Sequence, residues 1–193
     1  LRKYLVFFYK LFQYYRPWLP AFQSYLQQTQ SNSYLECCSG DGEALKMVVN
    51  ALPEGQVLHR HFTLSDLNPL PQFVSKVNAS NDQRFTYIDT PIDASKIPKT
   101  LNYPRIFINS FHHLAPADAR HVLASSLKDN KPVLILEFTK KHLFSFLLPI
   151  TGGMLIPFTL PFVLRKKDFL PALLFTYIIP LLPLMFIWDG AVS

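Results

Sequence analysis

The sequence is short of charge, of glycine and of cysteine, and each shortage excludes something. Charged residues make up 17% of the 193 positions, against roughly 25% in soluble domains. One ordinary soluble domain therefore does not account for the whole chain. The only cysteines are the adjacent Cys37 and Cys38. Neighbouring cysteines seldom pair, because the small ring they close is strained, and there is no second cysteine cluster for zinc. A disulfide framework is excluded and a reducing, cytoplasmic compartment is expected. The six glycines never fall into the GxxxxGK[ST] spacing, which excludes that phosphate loop. What is present instead is apolar: 49% of the residues, with 17 phenylalanines and 16 prolines.

The net charge of +6 is concentrated at the two ends. Arg2, Lys3, Lys10 and Arg16 stand in residues 1–30 without an acid, and Lys140, Lys141, Arg165, Lys166 and Lys167 outnumber Asp168 and Asp189 after residue 138. Residues 31–137 are nearly neutral. A nucleic-acid binder interleaves its bases with polar residues on one face, whereas bases beside bulky apolar residues suit an anionic membrane surface. A membrane surface is thus expected as a partner, and nucleic acid is not favoured.

Three regions follow. Residues 1–32 read as N-terminal helices: Leu1, Leu5, Phe8, Leu11, Phe12 and Tyr15 recur at helical spacing, Arg16-Pro17-Trp18 interrupts, and Leu19 to Gln28 forms a second helix. Packing on the domain and lying in a membrane interface are both open readings for this aromatic segment. Residues 33–138 alternate apolar strands, at Ser33–Cys37, His59–Leu64, Arg84–Ile88, Arg105–Asn109 and Pro132–Phe138, with helices at Glu43–Leu52, Pro69–Val77 and Pro116–Leu127. A short helical turn is expected after Asp93. Such alternation predicts a mostly parallel sheet with helices on both faces. Residues 139–193 hold two uncharged stretches, 143–164 and 169–188, each long enough to span a bilayer but broken by prolines. Basic clusters before and between them favour a helical hairpin dipping into the membrane from the cytoplasmic side. An apolar cap over the sheet or a subunit interface is the alternative.

The stretch YLECCSGDGEAL, residues 34–45, then becomes the turn from the first strand to the first helix, where open parallel sheets bind nucleotides. A pyrophosphate site needs three glycines and a free helix N-terminus. Here Cys38 stands at the first glycine position, and Asp41 and Glu43 flank the helix start. Those acids repel pyrophosphate and favour a ligand carrying ammonium or sulfonium, such as S-adenosyl-L-methionine. Asp66 closes the second strand, near the offset at which an acid meets ribose hydroxyls, and Asp93 follows the third strand, where an acid can accept from an adenine amino group. Each acid alone reads equally as a turn or helix cap; it is their order at successive strand ends that points to a nucleoside.

In the order ECCSGDGE, TLSDLNP, PIDASKIP and INSFHHL, the chain resembles the class I S-adenosylmethionine-dependent methyltransferases. More narrowly, LECCSGDGE, TLSDLNP, PIDA, NSFHHLAPADAR and the tail TYIIPLLPLMFIWDGAVS are similar to a bacterial methyltransferase-like group. PWLPAFQSYLQQ is similar to the N-terminal helix of that group. The resemblance implies an α/β, Rossmann-like sheet with five strands present and a final hairpin missing, so a truncated chain is expected. It implies cofactor contacts at Glu36, Ser39, Gly40, Gly42, Asp66, Leu67, Asp93, Ala94 and Asn109. Glu36 stands where the group more usually has Asp. The implied activity is methyl transfer to an apolar small molecule or lipid at the inner face of the plasma membrane. A non-catalytic module docking a membrane or a protein partner is the alternative.

Methyl transfer needs alignment more than a covalent nucleophile or a metal, and a base only where the acceptor must lose a proton. His112 and His113 are the candidate bases, with capping of the next helix or burial against the apolar tail as their alternative roles, and Glu137 is expected to line the acceptor side. His59 and His61 share a strand face but lack a third ligand, so no metal is expected.

Overall fold

The computed structural model describes residues 13–137 continuously, and besides them Lys10, Leu11, Phe158, Leu174–Ile178 and Leu184. The chain divides into two units, Tyr15–Glu137 and a second made of Leu1–Tyr14 with Phe138–Ser193.

In the first unit, short apolar runs between turn-forming residues give five strands: β1 Ser33–Glu36, β2 His61–Leu64, β3 Phe85–Tyr87, β4 Arg105–Ile108 and β5 Val133–Leu136. They form one sheet in the order β3-β2-β1-β4-β5, and every neighbouring pair is parallel. Parallel strands need crossovers, and helices supply most of them. Residues Glu43–Asn50 form α2, Glu54–Val57 α3, Pro71–Asn78 α4 and Pro116–Lys128 α5, while Leu19–Thr29 form α1, ahead of the sheet. The expected α/β class and strand sequence hold. Four of the strands end one or two residues earlier than their apolar runs, β2 begins at His61 and so leaves out His59, and α3 was not foreseen because four residues carry no helical period.

The two faces of the sheet are filled differently. On one, Tyr34, Phe62 and Phe85 stack across β1, β2 and β3, with ring centroids 5.4 and 5.7 Å apart. The helix α1 lays Phe22 on Phe62 at 6.3 Å and Tyr25 on Tyr34 at 6.0 Å. Trp18, Phe22, Tyr25 and Leu26 are buried, and each such side chain contributes about 1.5–3 kcal/mol. For residues 18–29 the packing reading is therefore correct; residues 1–9 lie outside the described residues. The Tyr25 hydroxyl donates between the carbonyls of Arg105 and Pro132, at 2.8 and 2.9 Å. Burial pushes that phenol well above its usual range. On the opposite face Leu35, Cys37 and Phe107 form a core with Ala94 and with Val122 of α5.

Arg105, at the start of β4, is fully buried. It donates to Ser126 Oγ at 2.7 Å and Ser125 Oγ at 3.3 Å, and pairs with Asp129. A cation beside the last turn of α5 also meets the negative end of the helix dipole.

Of the second unit, a π-helical turn at Leu174–Ile178 is described, with Phe158, Tyr177 and Leu184 exposed. The two uncharged stretches otherwise lie outside the described residues. Among the described residues, no helix is long and apolar enough to cross a membrane.

Candidate functional site

In the order β3-β2-β1-β4-β5 the chain leaves β1 toward one side of the sheet and β4 toward the other. The carboxyl ends of these two strands flank the crevice where open parallel sheets bind ligands. Both strands end in a non-glycine residue with left-handed backbone close by: Cys38 at φ 57° after β1 and Asn109 at φ 49° after β4. Asn tolerates this conformation, whereas Cys38 is strained there, and such strain gathers at functional positions.

The turn after β1 is held by its neighbours. Ser39 N–H donates to Ser65 O at 3.0 Å, and Ser65 donates to the Glu36 carbonyl from N–H at 2.9 Å and from Oγ at 2.8 Å. Gly40 N–H donates to Asp66 Oδ2 at 2.9 Å, and Tyr87 Oη donates to Gly40 O at 2.9 Å. The ends of β2 and β3 thus clamp the backbone of the loop. Gly42 is required on two counts. Its φ is +71°, and a Cβ there would stand 2.2 Å from Leu64 Cδ2, so only glycine lets α2 start this close to the sheet.

Glu36, the last residue of β1, is 2% exposed, and its Oε2 has no hydrogen-bond partner. Burial, opposed by a hydrogen bond from Ser39 and helped by the charges of Asp41 and Asp66, pushes its carboxyl up to about 8. At neutral pH it is accordingly a neutral acid. An unanswered buried carboxyl is costly, and the ligand that answers it best is a cation or a strong hydrogen-bond donor. The Cys38 thiol is pushed up to about 11 by burial and by Asp66, Glu36 and Asp93. It is a thiol, not a thiolate nucleophile. These mutual effects bring together the acids expected at the first three strand ends.

The acids do not all stand free. Asp66 Oδ1 accepts from Asn68 N–H at 2.9 Å while its Oδ2 takes Gly40 N–H. Each oxygen keeps one lone pair for a ligand. Asp41 Oδ1 accepts from Glu43 N–H at 3.1 Å, closing the turn that enters α2. Glu43 pairs with Lys76 of α4 at 2.6 Å, so its charge is answered from outside the loop, which the sequence spacing did not reveal. Asp93 Oδ1 accepts both the N–H and the hydroxyl of Ser95, at 2.8 and 2.7 Å. The hydroxyl bond, and after it the N–H bond, holds that carboxyl below its ordinary range. Asp93 is exposed and ionised, Leu67 is 55% exposed, and Ala94 belongs to the core.

Beyond β4, residues Phe111–His113 form a 3-10 turn. Glu137, just past β5, accepts from Phe111 N–H at 2.8 Å and from His112 N–H at 3.4 Å through Oε1, and meets His112 Nδ1 at 2.5 Å through Oε2. Of the two candidate bases, His112 is joined to Glu137, whereas His113 is exposed. Ser110 is buried, with its Oγ unpartnered among the described residues. Tyr87, Ser65 and Ser110 were not foreseen from the sequence. Among the described residues no group of three His, Cys, Asp or Glu could hold a metal ion.

Comparison with protein-family models, with curated proteins and with solved structures finds no match for this chain.

Proposed function

We propose that the chain is an S-adenosyl-L-methionine-dependent methyltransferase acting on an apolar small molecule or lipid at a membrane surface. The observation that carries this reading is Glu36: a buried carboxyl with an unanswered oxygen, at the mouth of the crevice between β1 and β4. A dinucleotide would bring phosphates against Glu36, Asp41, Asp66 and Asp93. A sulfonium nucleoside with an amino-acid tail brings cationic groups and no phosphate, and so fits the donor set. In this reading Glu36 answers the ammonium of the tail. Gly40 and Gly42 keep the backbone low beneath it, Asp66 offers its remaining lone pairs to ribose hydroxyls, and Asp93 accepts from the adenine amino group. Bound there, the cofactor supplies an electrophilic methyl group, and the protein's task is alignment and exclusion of water. Support for the apolar acceptor and the membrane comes from the tail sequence, with basic clusters at Lys140-Lys141 and Arg165-Lys166-Lys167 beside uncharged stretches.

Isothermal titration calorimetry with S-adenosyl-L-methionine tests the reading. Wild-type protein is expected to bind, and Glu36→Gln, which cannot ionise, to bind at least about tenfold more weakly. Absence of binding by wild-type protein, or equal affinity of the two, overturns it.

A second reading draws on the loop itself. Asp66 is already engaged by Gly40 and Asn68, as expected of a loop whose polar groups serve its own conformation. A non-catalytic methyltransferase-like module would float with vesicles and transfer methyl to nothing in a cell extract, whatever stood at position 66.

A further inference from the structure

The crevice has a second half that the cofactor reading leaves unused. Beside the acids of β1 to β3, the ends of β4 and β5 hold one carboxylate and one imidazole in a defined arrangement. Glu137 accepts from two backbone N–H groups through Oε1, which fixes its plane, and presents Oε2 to His112 Nδ1 at 2.5 Å. An ionised carboxylate only accepts, so Nδ1 carries the proton and a neutral His112 has its lone pair on Nε2. Nε2 has no hydrogen-bond partner among the described residues. The pair is largely shielded, with the His112 side chain 11% and Glu137 20% exposed. His113 lies with its ring centroid 4.0 Å from that of His112, and Phe111 stands edge-on to Phe107 at 5.3 Å, giving an aromatic wall beside the base.

We propose that His112, oriented by Glu137, is a general base, and that the methyl acceptor is accordingly an oxygen acid of the phenol or enol type. The inference rests on the cofactor reading and deepens it. An amine or a thioether accepts a methyl group with a lone pair already free, and alignment is enough for it. A hydroxyl attached to an aromatic or enolic carbon is a poor nucleophile until its proton leaves, and there an oriented imidazole contributes about 10²–10⁴-fold. In the step, the O–H proton passes to His112 Nε2 and the oxygen bonds to the methyl carbon. The carbon–sulfur bond breaks with its electron pair kept on sulfur. The positive charge of the sulfonium is thereby replaced by that of imidazolium, which Glu137 stabilises. His112 is the catalytic residue and Glu137 a positioning residue.

The test uses the full chain, S-adenosyl-L-methionine, and two acceptors: phenol, neutral at the assay pH, and 4-nitrophenol at a pH where it is already ionised. His112→Gln is expected to lower kcat/KM on phenol by about 10²-fold or more while lowering that on ionised 4-nitrophenol less than about tenfold. Glu137→Gln removes the charge and leaves one oxygen to serve either Nδ1–H or the two backbone N–H groups. It is expected to lower kcat/KM on phenol by about tenfold and to move the acid limb of its pH profile to lower pH. Cofactor binding in both variants, read by calorimetry, should match wild type and shows that they fold. Equal losses on the two acceptors, or an unmoved acid limb, overturn the general-base role. Wild-type protein that binds the cofactor yet methylates neither compound overturns the oxygen-acid assignment alone, whereas failure to bind the cofactor removes this inference together with the reading beneath it.

Discussion

Where the strands begin, a buried charge is answered by its neighbours; where they end, a buried carboxyl keeps an unpaired oxygen. At the starting rim, Arg105 has Ser125, Ser126 and Asp129 around its terminal nitrogens, leaving only Nε unpaired. Arg60, just ahead of β2, donates to Leu26 O at 2.8 Å and to Tyr34 Oη at 2.7 Å. These bonds tie α1 and α5 to the sheet. At the finishing rim, Glu36 Oε2 and Ser110 Oγ are buried without partners, and the backbone of Cys38 is left-handed and strained. The same sheet therefore supplies both kinds of rim. One uses polar groups to fix the packing, and the other leaves some of them unpaired, at a cost in stability.

The starting rim is where the largest loss of stability is expected. Asp129→Ala leaves Arg105 buried without its carboxylate and should cost about 3 kcal/mol in urea unfolding, the low end for breaking a buried pair, since Asp129 is one-third exposed. Arg105→Met, which removes the charge together with its need for a partner, should cost less. If the two variants unfold at the same urea concentration, the pair is not what holds α5 to this rim.

Next in size is the hinge of the finishing rim. Gly42→Ala combines a left-handed φ with a Cβ 2.2 Å from Leu64 Cδ2, and strain and overpacking together should cost about 2 kcal/mol. Gly55, whose Cβ would meet nothing within 4 Å, is the control: Gly55→Ala in α3 should be neutral or slightly stabilising. Similar melting temperatures for the two variants would remove the claim that loop and sheet meet too closely for a side chain.

Much of the frame was legible because it depends on local chemistry. Apolar runs gave all five strands, Pro116 marked the start of α5, and the acids after β1, β2 and β3 gave one half of the crevice. What was not legible depends on register. His112 and Glu137 are 25 residues apart and meet only because β4 and β5 pair Ile108 with Leu136. Glu43 meets Lys76 across 33 residues of sequence, from α2 to α4. Strand ends were overextended for another reason. Cys37 continues the apolar run of β1, but Cys38 turns left-handed, and no propensity of cysteine forecasts that. The burial that neutralises Glu36 is likewise a property of the finished core, not of the tripeptide around it.

The subtlest difference between the rims is in pH. The folded value of Glu36, about 8, lies above its ordinary value of 4.5, so the native state binds a proton that the unfolded chain releases. Its contribution to stability is fully present below about 4.5 and is lost as pH rises to about 8. Up to about 1.4 kcal/mol disappears per pH unit across that window, with opposing groups reducing the net slope to about 1 kcal/mol or less. Glu36→Gln fills the same space without a proton to lose. Thermal melts from pH 5 to 8 should show a flatter profile for the variant, and its advantage over wild type should grow with pH. A cation bound beside Glu36 reverses the preference by stabilising the carboxylate, so binding should release a proton. Calorimetry in two buffers of different ionisation enthalpy reads that proton directly. Parallel melting profiles would mean that Glu36 is ionised in the folded chain, and the finishing rim would then hold a charge already answered, as the starting rim does.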